Sequence, residues 1–195
     1  MINKIVKIVF IISMLSLNGQ TIDIVFPEKD IGVDNWNIVN DGVMGGISTS
    51  SLSINSNSIL IFKGYLSLEN NGGFASSRMS IKKNILDNVK SFKIKFKGDG
   101  NKYKLRLRQD NKRVSYSCDF ITIKNKWTEV DIPIKDFKAT WRGYSYPNYS
   151  SIETDKINSI GLQISDKQEE ILHLKLSILK LAFDFKVPKN SLLNT

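Results

Sequence analysis

The chain has 195 residues and carries 28 Lys and Arg against 19 Asp and Glu, a formal net charge of +9. That length holds one domain, or at most two small ones, with a real buried core. The single cysteine, Cys118, excludes an intramolecular disulfide and a multi-cysteine zinc site, and no run of ~18 apolar residues is present to cross a membrane as a helix.

At the N-terminus, Lys4 and Lys7 precede the apolar run Ile8 to Leu17, and Asn18-Gly19-Gln20 follow. A basic stretch ahead of an apolar stretch of ~7–15 residues predicts a secretory signal over residues 1–20. The protein is then exported, periplasmic or secreted. The alternative is a cytoplasmic or inner-membrane-associated chain whose N-terminal run is a buried strand. Without residues 1–20 the net charge is +7, which still favours anionic surfaces.

From there the chain reads with period two, the signature of half-buried strands. Residues 59–68 and 74–80 are strand candidates. In "SFKIKFK", Phe92, Ile94 and Phe96 alternate with Lys93, Lys95 and Lys97. After Gly98-Asp99-Gly100-Asn101, Tyr103, Leu105 and Leu107 alternate with Lys104, Arg106 and Arg108, which reads as a hairpin. "RVSYSCDFITI" and "WTEVDIPI" read as the next pair, with Pro133 marking a strand end or a sheet edge. "SIGLQIS" and "ILHLKLSILKLAFDF" close a domain predicted over 21–187, ahead of a frayed tail at 188–195. Helices are limited to single turns near 82–90 and 133–138. Many short strands at ~8–12-residue spacing predict an all-β sandwich or barrel.

"NDGVMGGIS", Asn40 to Ser48, is the stretch that tests for an enzyme. A phosphate loop needs backbone N–H groups at a helix N-terminus, often with a Lys and a Ser or Thr. This segment has no Lys, leads into Ser-rich strand-like sequence and lacks G-x-G-x-x-G spacing. Asp41, Gly42, Gly45 and Gly46 therefore read as a corner, with Asp41 free to cap it or to supply one calcium oxygen. Asn71, Gly72 and Gly73 read as a second turn, with Arg78 following. Cys118, alternating with Tyr116 and Phe120, reads as a small buried hydrophobe, and His173 as a surface residue. Asp41, Glu69, Asp99 and Asp166 show no pairing of the kind a glycosidase needs. The chain reads as a non-enzyme without cofactor.

Two features read as binding surfaces. Lys93, Lys95, Lys97, Lys104, Arg106 and Arg108 fall on one side of the expected hairpin and suit an anionic or glycan ligand or a protein complex. No aromatic residue alternates with them, which speaks against nucleic acid. Trp141, Arg142, Tyr144, Tyr146 and Tyr149 gather in an expected loop that suits sugar stacking or a partner surface. Trp36 and Trp127 are expected in the core, and the protein as a monomer.

Four stretches together, "NDGVMGGIS", "NNGGFASSR", "KGDGNKYKLRLR" and "W.EVDIPI.DF", followed by "RGY" at Arg142 and "IGLQISDKQ", resemble the complex I intermediate-associated protein family over about residues 34–183. The resemblance implies a galactose-binding-like jelly-roll β-sandwich, a fold shared with carbohydrate-binding modules whose concave sheet face holds the ligand. It also implies a non-catalytic assembly role like that of the family's mitochondrial members, with a lectin-like glycan module as the alternative. One departure is local: Glu169-Glu170-Ile171 stand where the family usually has Gly-Pro-Phe.

Overall fold

The computed structural model describes residues 21–23, 36–57, 59–81, 84, 86–110, 112–168 and 171–183. The expected leader, the tail and the departure at Glu169-Glu170 lie outside the described residues. No helix among the described residues is long and apolar enough to cross a membrane. The strands, in chain order, are β1 (Thr21–Asp23), β2 (Trp36–Ile38), β3 (Thr49–Ile54), β4 (Leu60–Tyr65), β5 (Ala75–Ser80), β6 (Val89–Lys97), β7 (Lys102–Gln109), β8 (Ser115–Ile121), β9 (Trp127–Pro133), β10 (Lys138–Trp141), β11 (Tyr144–Ser145), β12 (Ile157–Ile164) and β13 (Ile171–Phe183). Short 3-10 turns at Asp41–Met44, Glu69–Asn71, Ile134–Asp136 and Thr154–Lys156 are the helical elements described.

The strands form two antiparallel sheets. One runs β3-β4-β13-β6-β9, with β1 also paired to β13. The other runs β11-β10-β8-β7-β12-β5-β2. The strands turn most of their apolar residues inward, as period-two alternation requires, with Ile121 and Ile171 among the exceptions. Phe92, Ile94 and Phe96 of β6 are fully buried, and so are Tyr103, Leu105 and Leu107 of β7. Phe96 meets Phe120 of the facing sheet with ring centroids 4.8 Å apart. Truncating a core phenylalanine of this kind costs about 3–5 kcal/mol.

The topology corrects two of the expected hairpins. β6 and β7 belong to different sheets, as do β8 and β9. Alternation is the same whether two strands lie side by side or face each other across a core, so periodicity does not separate the two cases. At Gly98 the chain crosses between sheets instead of turning back. A Cβ on Gly98 would sit 2.4 Å from Thr122, so only glycine fits this crossing without displacement. Thr122 Oγ1 accepts from the Gly100 N–H at 2.9 Å. Asp99 ties the crossing to both sheets, accepting from the Tyr103 hydroxyl at 2.7 Å and from the His173 N–H at 2.6 Å.

Pro133 ends β9, the edge strand of its sheet, where a residue without an N–H is tolerated. Trp36 is buried, but Trp127 is 38% exposed, contrary to expectation, because it lies outward on β9 opposite Lys97. Arg142 and Gly143 both have positive φ and close a two-residue turn between β10 and β11. The first part of the expected loop is thus a tight hairpin at the edge of its sheet, while residues 146–150, with Tyr146 and Tyr149, are irregular.

Candidate functional site

The two glycine motifs come together at one carboxylate. Asp41 is fully buried. Its Oδ1 accepts from the Ser48 N–H at 2.9 Å. Its Oδ2 accepts from the Ser48 hydroxyl at 2.5 Å, the Gly73 N–H at 2.7 Å and the Phe74 N–H at 3.2 Å. Burial opposes the charge on Asp41, but these hydrogen bonds outweigh it and hold the carboxyl below its usual range. Two glycines make room for it. A Cβ on Gly46 would fall 2.4 Å from the Asp41 carboxyl carbon, and one on Gly72 would fall 2.8 Å from Oδ2. Asn71 ends the adjoining turn at φ 59°, and Gly45 and Gly73 also have positive φ. The motif is a clamp that joins the chain entering β3 to the chain entering β5. Its carboxylate is already occupied by four donors.

The expected basic face divides. Lys93, Lys95 and Lys97 lie on the outer side of the β6 sheet, where Lys93 is in register with Asp131 and Lys95 with Glu129. Opposite charges in register stabilise a sheet, so Lys93 and Lys95 have a structural counterpart, whereas Lys97 lies between Trp127 and Lys175. Lys104 lies on the other sheet, and its ammonium is 2.9 Å from Asp119 and 2.8 Å from Asp166. Lys102 approaches the same two acids. The acids absent between the cations in sequence are thus supplied by neighbouring strands.

Arg106 and Arg108 remain, and a third arginine joins them. In the seven-stranded sheet, Gly161 of β12 is opposite Arg78 of β5 on one side and Arg106 of β7 on the other. Arg108 is opposite Ser159. The three guanidinium side chains line a slot whose floor includes Gly161 and Ser159. A Cβ on Gly161 would lie 2.5 Å from the Ser77 carbonyl and 3.3 Å from Arg78 Cγ, so the missing side chain opens the space between Arg78 and Arg106. Arg106 donates from Nη2 to the Ser115 hydroxyl. Among the described residues, no carboxylate forms an ion pair with Arg78, Arg106 or Arg108. Burial, then the neighbouring Arg108 and Arg78, push the Arg106 guanidinium down to about 10. Arg78 is lowered in the same way, by burial and then by Arg108.

Arg78 is the member that the sequence grouped with the motif loops. Its signal was the alternation of Ser76, Arg78 and Ser80, which marks the polar side of β5. Trp141 and Arg142 lie at the sheet edge, where the Arg142 guanidinium sits 5.1 Å over the Trp141 ring. Trp141 shares the side of β10 that carries buried Ala139, whereas Thr140 shares the arginine side. The structure therefore does not join Trp141 to the arginine row.

Other candidates offer less chemistry. A groove of about 410 Å³ on the opposite sheet, lined by Thr49, Ser51, Lys63, Ile171 and His173 among others, is wide and open to solvent. Cys118 packs against the core, and burial, then Asp136 and Asp119, push its thiol up. His173 is on the other sheet and faces outward, away from Cys118. Among the described residues, no three His, Cys, Asp or Glu side chains gather as metal ligands.

Fold and site together define a jelly-roll β-sandwich of the galactose-binding-like type with a polar, arginine-bearing sheet face. The solved structures it resembles include the family 11 carbohydrate-binding module of a cellulosomal cellulase of Clostridium thermocellum, at 15% identity, covering 85% of this chain and 94% of that one with a TM-score of 0.62. The family 30 module of another cellulosomal cellulase of that organism matches at 11% identity over 86% of this chain and 99% of that one, with a TM-score of 0.60. An agarase matches at 14% identity over 88% of this chain but 26% of its own length, with a TM-score of 0.59. The family model for complex I intermediate-associated protein 30 matches residues 24–176, and the chain belongs to that family. It is 26% identical over 182 residues to complex I intermediate-associated protein 30, mitochondrial, of Mus musculus. That match takes in 82% of this chain and 55% of the relative, so the chain spans about half the length of that curated protein.

Proposed function

We propose that this protein is a non-catalytic binding module acting in assembly, and that it seats a partner protein complex on the outer face of its seven-stranded sheet. The observation that carries this reading is the arginine row, which has no carboxylate counterpart among the described residues. Of the other cations expected from sequence, Lys93 and Lys95 stand opposite Asp131 and Glu129 and Lys104 is bonded to Asp119 and Asp166, whereas Lys97 lies between Trp127 and Lys175. Like charges held together on a partly desolvated surface cost stability, and such costs concentrate at functional sites. Family membership supports the assembly role. Lys4, Lys7 and the run Ile8 to Leu17 support export, which makes the partner a complex of the envelope or cell exterior.

The test uses the full chain, tagged, in its native cell. Ser159→Trp places a bulky side chain on the proposed face without touching the clamp. The parent is expected to migrate with a membrane complex on a native gel, and the variant to migrate as a monomer with an unchanged melting temperature. Equal co-migration of both proteins, or a parent found only as free monomer, overturns the reading. Intact mass of the mature protein tests export: a chain beginning near Gln20 supports it, and a chain beginning at Met1 in the cytoplasm removes it.

A lectin-like reading has one observation in its favour. Ser80, Ser159 and Gln163 surround the arginines with hydroxyl and amide groups suited to sugar oxygens. It predicts glycan retention that falls in Arg106→Ala.

A further inference from the structure

We infer that Arg78, Arg106 and Arg108 form a binding site for a doubly charged tetrahedral oxyanion, the terminal group of a sulfate or phosphate ester carried by the partner. This inference rests on the seven-stranded face being the binding face, and it names the chemistry of the anchor.

Neighbouring strands lie ~4.8 Å apart, so Arg78 and Arg106, both opposite Gly161, have backbones ~10 Å apart with no side chain between them. Arg108 is two residues along β7 from Arg106, on the same side. Three long side chains thus border one slot whose base includes the glycine backbone. Guanidinium groups present planar forks of N–H donors that match the oxygens of phosphate or sulfate, and they are more weakly hydrated than ammonium groups. Ser115 takes one Arg106 donor and fixes that side chain, leaving the remaining N–H groups of the fork for a ligand.

Charge and shape then choose among anions. Three cations in mutual repulsion are relieved more by a dianion than by a monoanionic carboxylate. The slot holds about 10 Å³, room for about one water, so a sugar ring does not enter it and an oxyanion would sit at its mouth against the guanidinium forks; Arg78, Arg106, Ser159 and Gly161 offer no aromatic platform for a ring. The mouth of the slot therefore takes a compact charged group projecting from a larger molecule.

The lysine clusters lack this combination. Lys102 and Lys104 are bonded to Asp119 and Asp166, and Lys93 and Lys95 stand opposite acids. Lys63, Lys97 and Lys175 also lack a carboxylate partner among the described residues, but they are lysines on the other sheet and offer no guanidinium forks around a shared slot.

Calorimetric titration of the full chain with sodium sulfate, inorganic phosphate and sodium acetate at constant ionic strength tests the inference. Sulfate also stabilises proteins by exclusion from their surfaces, so saturable heat, not a rise in melting temperature, is the readout. Saturable sulfate and phosphate binding is expected, weakened roughly ten- to a hundredfold in Arg106→Gln and unchanged in Lys95→Gln. Arg108→Gln serves as the second variant if Arg106→Gln does not fold. Heat no greater than that of chloride, or binding that survives both arginine substitutions, overturns the site. Acetate binding as tight as sulfate overturns the tetrahedral assignment. If sulfate fails but Ser159→Trp still releases the membrane complex, the face stands and the oxyanion anchor falls. If sulfate binds but Ser159→Trp changes nothing, the partner lies elsewhere.

Discussion

The backbone N–H of Gly73 donates to Asp41 Oδ2 at 2.7 Å and joins two loops 32 residues apart in the chain. Phe74 and Ser48 bind the same carboxyl group, so the entries to β3 and β5 share one polar centre. A buried carboxylate costs free energy unless it is hydrogen-bonded, and here each oxygen is. The motif's sequence constraint follows from that accounting. Aspartate provides acceptors only, and glycine at positions 46 and 72 leaves room for them.

Asp41→Asn keeps the shape and removes the chemistry. One oxygen becomes an NH2 group facing N–H or O–H donors, leaving at least one buried donor without an acceptor. The expected loss is about 3 kcal/mol, seen as a melting temperature lower by roughly 6–12 °C. A variant that melts with the parent would show that the clamp contributes little.

The glycines of a single motif are expected to differ. Gly46→Ala drives a methyl group into the Asp41 carboxyl and destabilises the fold. Gly42→Ala meets nothing within 4 Å and is expected to be neutral, or stabilising by up to about 1 kcal/mol through loss of unfolded-state freedom. Urea unfolding of the two variants side by side checks this, and equal midpoints would refute the assignment.

Stability is expected to fall in acid. Asp166 pays a burial cost, but Lys102 and Lys104 dominate and bring its carboxyl down to about 2 from an ordinary 3.8. A carboxyl depressed in the folded state contributes stability above its unfolded pKa. That contribution is lost as pH falls from 3.8 towards 2, because the unfolded chain then binds more protons. Asp41 acts in the same direction. The Asp166 pairs are partly exposed, so each is worth about 0–1 kcal/mol. Denaturant unfolding at pH 6 and pH 3 should show the parent losing more stability than Lys102→Gln/Lys104→Gln. Equal losses would mean these pairs do not set the acid limit.

The strands were legible because burial writes itself into alternation: Phe92, Ile94 and Phe96 announce β6 and its inner face. The partners of those strands were not. β6 lies against β13 and β9, dozens of residues away, and nothing local in Gly98-Asp99-Gly100-Asn101 separates a crossing from a turn. The candidate site shared this limit. Lys104 looked unopposed because Asp119 and Asp166 reach it only through the fold. Arg78 looked separate from Arg106 because Gly161, the residue between them, is contributed by a strand far from both. The corner reading of Asp41 needed less, since a buried acceptor among glycines is a local arrangement completed by one distant turn.

β13 lies between β4 and β6, so the middle of the six-stranded sheet is filled by the last strand of the sandwich to be synthesised. Until it emerges, β4 and β6 have no common neighbour, and the backbone edges they turn towards each other are unpaired. At ~5–20 residues per second, the stretch from the end of β6 at Lys97 to the end of β13 at Phe183 takes about 4–17 s to make. Throughout that interval those two edges are open to pairing with other strands, a known route to aggregation. The order of strands in the sheet thus acts as a timer, delaying completion of this sheet until the last of its described strands has been made.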